Sequence, residues 1–427
     1  MAWDFSTEPE FDKKLDWMRD FVRDEIIPLE TLELDWATYD RITAPLKEQV
    51  KEQGLWAAHL PPELGGGGFG QVKLGLMHEI LGQCKYAPGV FGNQAPDSGN
   101  AELLAIGGSP EQKERWMFPL LRGELRSSFS MTEPGAGADP TMLTTRAVLD
   151  GDEYVINGHK WFSSNASIAD FLIVMAVTDP DVSPYQGSSM IVVPVDTPGV
   201  NVVRDIPVMD HPHSGGLDGG HAEVLYTDVR VPKENLIGNP GDGFRLAQQR
   251  LGPGRIHHAM RWLGQSKRAF DMLCERAVSR HAFGSALADK QMVQDWVAIS
   301  AAEMQAARLL TLQAAWTMDQ VGASNARVEI GMIKYWGAKV LHDVIDRAIQ
   351  VHGSLGFSGD LPLEQMYRAA RAARIYDGPD EVHKATVARR ILRGYQPTDV
   401  PTEHVPTRRD AAQRKFADYL SLATANQ

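Results

Sequence analysis

The sequence predicts an α+β multidomain protein. It has an N-terminal helical domain over 1–125, a middle β-barrel-like domain over 126–240, a C-terminal four-helix bundle over 241–395 and a tail over 396–427. Three observations predict this. The 427 residues exceed the roughly 250–300 at which a single core usually splits. The hydrophobic period changes twice along the chain, from helical to strand-like and back. No alternation of strand and helix occurs in between, which argues against a doubly wound parallel sheet.

The first helical stretch is "LDWMRDFVRDEII", where Leu15, Met18, Val22 and Ile26 recur at helical spacing. "SPEQKERWMFPLLRG" opens on a Ser-Pro pair suited to a helix N-terminus and ends at Gly123. From about residue 126 the pattern turns to strands. "RAVLDGDEYVING" carries Asp-Gly between β-type runs, a hairpin signal. "FLIVMAV", "SMIVVPV", "VNVVRDIPV" and "AEVLYTDVRV" follow, separated by Pro, Gly and Asp. From about residue 243 these β-branched runs vanish. "IGMIKYWGAKVLHDVIDRAIQVHG" puts Ile330, Ile333, Gly337, Val340, Val344 and Ala348 on one helix face and closes on Gly353. The tail "QPTDVPTEHVPT" reads as a proline-rich surface segment.

Composition excludes several classes. A hydrophobic fraction of 43% and a charged fraction of 23% are ordinary for a soluble globular protein. The net charge of −12 disfavours nucleic acid, which needs a basic patch. "MAWDFSTEPEFDKK" is acidic and lacks an apolar core, so no secretory signal is expected. "FLIVMAV" is too short to span a bilayer. Cys84 and Cys274 make no disulfide framework, and a cytoplasmic location is expected.

Several motif fragments carry little. "GGGGFG" at 65–70 contains GxGxxG but follows a turn, "HLPPEL", rather than a strand, and reads as a surface loop. No P-loop occurs. "DHPHSGGLDGGH" groups Asp210, His211, His213 and His221, which are metal-ligand types. Their spacing fits no metal motif, the glycines make a long loop, and no metal is expected. His257 and His258 in "RIHH" are read at the start of a helix, where neighbours face different directions. There is no GxSxG, and "FSSN" has no evident partner base.

"SFSMTEPGAGADP" lies at the change from helix to strand, and its small residues let backbone amides approach a ligand. "NGHKWFSSN", "SRHAFGSALADKQ", "QVHGSLGF" and "YDGPDE" follow in that order. The ordered set resembles the acyl-CoA dehydrogenase family, flavoenzymes that desaturate acyl-CoA thioesters. The resemblance runs from about residue 10 to 395 and takes in "GLWAAHLPPELGGGGFG" and "LYTDVRVPKENLIG". "RLGPGRIHH" and "DGPDEVH" are similar to a subgroup whose members include dehydrogenase domains fused to phosphotransferase-like domains, a fusion for which this length is expected to leave no room.

The resemblance implies FAD, an acyl-CoA substrate, electron transfer to an electron-transfer flavoprotein, and a homodimer or homotetramer. It places Met131 and Thr132 at the isoalloxazine, and Gly137 and Ala138 by the pyrophosphate and thioester. Phe162 covers a flavin face where the family usually has tryptophan, and Ser163 and Ser164 follow it, Ser164 replacing a threonine near flavin N5. Arg280 and Gln291 would meet the FAD phosphates and adenosine across a subunit boundary, as would Gln350, Val351, Gly353 and Ser354 from the neighbour. Pro379 and Glu381 sit on the loop over the flavin; Arg255, Tyr376 and Gly378 are placed at the substrate. Ala138 stands where the family often has serine, and an aspartate that contacts the CoA adenine in some members falls near Gly252.

The stretch "RIYDGPDEVH" then gains a chemical reading. The α-proton of a thioester is weakly acidic, so a carboxylate must sit beside it in a dry pocket. The family's base is usually glutamate in Tyr-Glu-Gly-Thr; the matching residues here are Tyr376-Asp377-Gly378-Pro379, so the candidate is Asp377. The alternative helix position used by some members is Gly254, which cannot serve. Burial is expected to raise Asp377 above its free value near 3.9. A backbone N–H at Gly378 could polarise the thioester carbonyl, and Asp380 and Glu381 read as loop structure. The rival readings are a flavin-dependent oxidase or monooxygenase of the same fold, or a catalytically lapsed flavin-binding protein. Asp377 favours dehydrogenation.

Overall fold

The computed structural model describes residues 5–32, 34–211, 219–397 and 405–424. The N-terminal helices include Pro9–Phe21, Trp36–Glu52, Gln71–Leu81 and Asp97–Gly107. Leu15, Met18, Val22 and Ile26 are all buried, the last two on a π-turn that extends the first helix. Ser109 caps the next helical stretch reciprocally: its side chain accepts from Gln112 N and its N–H donates to Gln112 Oε1. That stretch stops at Gly123, whose φ is +78°.

The middle part is one eight-stranded sheet. Its strands are β1 (Ser127–Ser130), β2 (Arg146–Asp150), β3 (Glu153–Ser164), β4 (Phe171–Val177), β5 (Ser188–Pro194), β6 (Val200–Asp205), β7 (His221–Pro232) and β8 (Leu236–Ile237). Their order is β6-β7-β3-β2-β4-β5-β8. The Asp-Gly hairpin forms between β2 and β3, with Asp150 opposite Glu153 and Gly151 at φ +65°. β1 pairs with β4 over Ser127↔Phe171 to Ser130↔Val174, and β2 meets the same strand further on, at Arg146↔Val177. The chain therefore leaves the sheet after Ser130 and rejoins the same neighbour at Arg146. The segment 131–145 projects from the sheet as a loop with both ends fixed.

The long C-terminal helices are Gly243–Ser279, Gln291–Val321 and Arg327–His352; the shorter Leu363–Ala372 and Asp380–Leu392 follow. All six predicted face residues of Arg327–His352 are buried. Gly337 permits a close helix crossing: a Cβ there would stand 3.3 Å from the Trp262 ring. The 65–70 glycines form a loop after a 3₁₀ turn, with no strand before them. Of the tail, 398–404 lie outside the described residues, and Val405–Lys415 and Ala417–Thr424 form helices that the proline-rich reading does not anticipate.

Candidate active site

Asp377 sits in a turn between the Leu363–Ala372 and Asp380–Leu392 helices, with φ +55°, and Gly378 follows at φ +95°. Left-handed backbone is tolerated by aspartate better than by most side chains and freely by glycine. The turn is held by its carbonyls. The Asp377 carbonyl accepts from Arg255 Nε at 3.2 Å and Nη2 at 3.0 Å, with His383 Nε2 at 3.0 Å. The fully buried Lys334 donates to the carbonyls of Ala373 at 2.6 Å and Gly378 at 3.2 Å. Gly378 is required twice, since a Cβ there would also approach His383 Nε2 to 2.9 Å.

The crowded acids divide their work. Asp380 is buried and pairs with Arg374 at 2.8 Å, while Glu381 is exposed in the first helical turn. Asp377 instead turns its carboxylate to His258, with 22% of the side chain exposed and Oδ2 3.3 Å from His258 Nε2. Burial raises its pKa, but His258, Arg255, Arg250 and Lys334 together pull it below the ordinary aspartate value. This corrects the expected rise: the sequence shows the burial but not three cations brought from two helices. Burial holds His258 down at about 4, so it is neutral at pH 7. Its ring lies 5.2 Å from that of Tyr376, whose hydroxyl accepts from Trp262 Nε1 at 2.9 Å.

His257 and His258 lie inside the Gly243–Ser279 helix rather than at its start. They do diverge: His257 stacks on His78 at 4.3 Å, and His258 faces Asp377. Gly254 is one turn before His258 on the same face, with no atom within 4 Å of an added Cβ.

A second group forms where β1 ends. β3 bulges between Lys160 and Ser163, setting Phe162 at φ +50° with 39% of it exposed. Trp161 N donates to Thr132 O at 3.0 Å, and Lys160 Nζ to Met131 O at 2.7 Å. Ser163 Oγ and Tyr226 OH each meet Ser130 Oγ at 2.9 Å. Ser164 Oγ lies 2.8 Å from His221 Nδ1, so "FSSN" does have a histidine partner, across the β3–β7 ladder. Gly137 and Ala138 are exposed on the projecting loop.

The remaining predicted residues form outlying patches. Arg280 and Gln291 are exposed on either side of the short His281–Ala286 hairpin. Gln350, Gly353 and Ser354 are exposed at the end of the Arg327–His352 helix, with Val351 buried beside them. Among the described residues no hydrogen bond joins these patches to the Asp377 or Phe162 groups. Pro379 caps the Asp380–Leu392 helix. No cluster of three metal-ligand side chains occurs among the described residues, and His213 lies outside them.

Sequence reasoning missed His258 as a partner of Asp377, and Arg250, Lys160 and Lys334 altogether. A signal existed for Lys334: it stands four residues after Ile330 and three before Gly337, on the apolar face of its helix. Lys160 is similarly a charge inside a strand.

Family models for the acyl-CoA dehydrogenase N-terminal, middle and C-terminal domains match residues 8–124, 128–215 and 241–392. The protein named "Probable acyl-CoA dehydrogenase FadE2" of Mycobacterium tuberculosis is 44% identical over 88% of this chain and 93% of its own. The chain belongs to the acyl-CoA dehydrogenase family. "Acyl-CoA dehydrogenase family member 11" of Rattus norvegicus is 45% identical over 82% of this chain, which spans 44% of that relative's length. The solved FAD complex of PigA aligns with a TM-score of 0.80 at 25% identity, over 92% of this chain and 100% of that one. The family is FAD-dependent, and the residues here fit that cofactor. Phe162 presents an exposed aromatic surface at the bulge, and Gly135 and Gly137 leave open space where side chains would stand.

Proposed function

We propose that the protein oxidises an acyl-CoA thioester to the trans-2-enoyl-CoA, with Asp377 as the base. Its carboxylate takes the α-proton as the Cα–Cβ double bond forms. Bound FAD supplies the acceptor for the hydride that leaves Cβ. The observation that carries this reading is the division of labour within one residue. Three nitrogens fix the Asp377 carbonyl while its carboxylate, kept ionised by nearby cations, is left to face His258.

In this reading Met131, Thr132, Gly137, Ala138 and the Phe162–Ser164 bulge hold the flavin side, with Pro379 and Glu381 on the loop over it. Ala138, Tyr376 and Gly378 line the substrate, and Arg255 supports it by holding the turn. Arg280, Gln291, Gln350, Val351, Gly353 and Ser354 complete a cofactor site across subunits. The exposure of all of them but Val351 within one chain suits a homodimer or homotetramer. The electron acceptor is an electron-transfer flavoprotein, and the location is the cytoplasm, which suits the free Cys84 and Cys274. Among the described residues no helix is long and apolar enough to cross a membrane.

Asp377 is one methylene shorter than glutamate, Ala138 lacks a hydroxyl, and Phe162 is smaller than tryptophan. All three enlarge the reacting space, which suits an acyl group bulkier near Cα or Cβ than a straight chain. A misplacement of about 1 Å can cost about 100-fold. Anaerobic mixing with straight and branched acyl-CoAs tests the function. Flavin bleaching with enoyl-CoA formation is expected. Absence of bleaching with every acyl-CoA overturns the proposal, and stoichiometric peroxide in air identifies an oxidase instead.

A further inference from the structure

Arg250 lies on the Gly243–Ser279 helix and is only 9% exposed. Its guanidinium packs 4.1 Å from the Phe129 ring of β1, two residues before Met131. It also fills the space beside Gly99, where a Cβ would come within 2.8 Å of Nε. That Nε has no hydrogen-bond partner. Asp377 and Glu102 act on the guanidinium through space only. The side chain therefore lies among Asp377, the end of β1 and the Asp97–Gly107 helix, inside the region where the proposed base and flavin side meet.

Three cations surround Asp377, and two of them are committed. Arg255 spends Nε and Nη2 on the Asp377 carbonyl, and Lys334 spends its ammonium on those of Ala373 and Gly378. Arg250 is not used in this way. A buried arginine keeps its charge and presents a rigid fork of donors, and leaving it unpaired is costly. Glu102 does not neutralise it. Burial pushes that carboxyl up to about 8, with Arg250 opposing, so at neutral pH it is largely an acid with a proton to donate. The arrangement offers a planar cation to an acceptor group.

We propose that Arg250 is a specificity-determining residue that receives a carboxylate carried on the acyl group of the substrate. This deepens the acyl-CoA dehydrogenase reading and rests on it. A guanidinium matches a carboxylate in two parallel hydrogen bonds, the strongest pairing its geometry allows. A neutral acyl chain in the same place would bury the charge without a partner, and a site built around polar groups rejects such a ligand.

The test compares CoA monothioesters of four- to eight-carbon dicarboxylic acids with the unsubstituted acyl-CoAs and with the carboxyl methyl esters of the same lengths. Wild type, Arg250→Met and Arg250→Lys are used as FAD-loaded protein, and anaerobic flavin reduction and ligand-induced shifts of the flavin spectrum are read. At one length or more, wild type is expected to prefer the acid by about 100-fold or more in kcat/KM. Arg250→Met should abolish that preference, and Arg250→Lys, which keeps the charge, should retain part of it. Equal losses with acid and neutral substrates in Arg250→Met would mean that Arg250 serves the Asp377 base, the CoA moiety or the fold, and would overturn the proposal. A wild-type preference for the neutral compounds at every length would do the same. If no acyl-CoA bleaches the flavin, the dehydrogenase reading falls. Tighter binding of the acids, lost in Arg250→Met, would still support the carboxylate site; no such difference would end both.

Discussion

Lys160 Nζ lies 2.9 Å from Glu133 Oε1 and 2.7 Å from the Met131 carbonyl, and both charged side chains are shut off from solvent. One contact anchors β3 to the start of the projecting loop, and the pair is completed at the loop's far end. There Glu133 accepts from the Thr144 amide and hydroxyl, both at 2.7 Å, and from the Thr145 amide at 2.9 Å.

Glu133 and Lys160 oppose each other in their effect on stability. Burial raises the Glu133 pKa, but Lys160 and the threonine hydrogen bonds outweigh it and bring it to about 2. Burial takes Lys160 down to about 8 against the pull of Glu133. Removing one partner leaves the other charge buried, so Lys160→Met alone should cost about 3–5 kcal/mol. Glu133→Gln/Lys160→Met should cost clearly less than the two single changes summed. Urea denaturation of the four proteins measures this, and strict additivity would refute the coupling. The depressed Glu133 pKa stabilises fully above its ordinary value of 4.5 and loses that contribution as pH falls toward 2.

Asp377→Asn should retain FAD and lose about 10²–10⁴-fold or more in the rate of substrate-driven flavin reduction. The amide keeps the shape and also tolerates positive φ. Stopped-flow bleaching is the measurement. Near-normal reduction would move the base elsewhere, although the buried ion pair of Asp380 and the outward position of Glu381 make poor substitutes.

Gly254 offers an independent check on where the base must stand. It has open space about it and shares a helix face with His258, which contacts Asp377. Asp377→Gly/Gly254→Glu should reduce flavin with substrate at least about 10-fold faster than Asp377→Gly alone, since the carboxylate is restored on the helix face that meets residue 377. No recovery, with normal FAD content, would show that the two positions do not address the same carbon.

The pH dependence follows from the depressed Asp377 pKa. A carboxylate held below its ordinary value stays ionised until pH falls beneath about 3.8, so the proton-accepting form is fully present at and above pH 5. Plots of kcat/KM, which report the free enzyme, should show no acid limb between pH 5 and 8. His258 and His383, both lowered to about 4 by burial, add none. A limb near pH 6–7 that moves in Asp377→Glu would show the opposite shift.

Much of the architecture was legible because it follows from period and punctuation. The face of Arg327–His352, the Asp-Gly hairpin and the stops at Gly123 and Gly353 need only local rules. Asp377 was legible as a carboxylate out of place at the end of a helix. Its charge environment was not, because Arg250 and Lys334 reach it from helices far away in sequence, and only tertiary packing sets their sum. Ser164 and His221 were missed as partners for a similar reason: they meet across β3 and β7, separated by 57 positions.

The backbone at Asp377 also limits which residues evolution can try there. At φ +55° the penalty for an ordinary side chain is about 1–2 kcal/mol, while asparagine, aspartate and glycine are accepted more readily. A lineage could not exchange this base for the longer acid by one codon change without either accepting that strain or reshaping the turn that Arg255, His383 and Lys334 hold in place. In this chain the short base and the left-handed turn that carries it are therefore one structural unit.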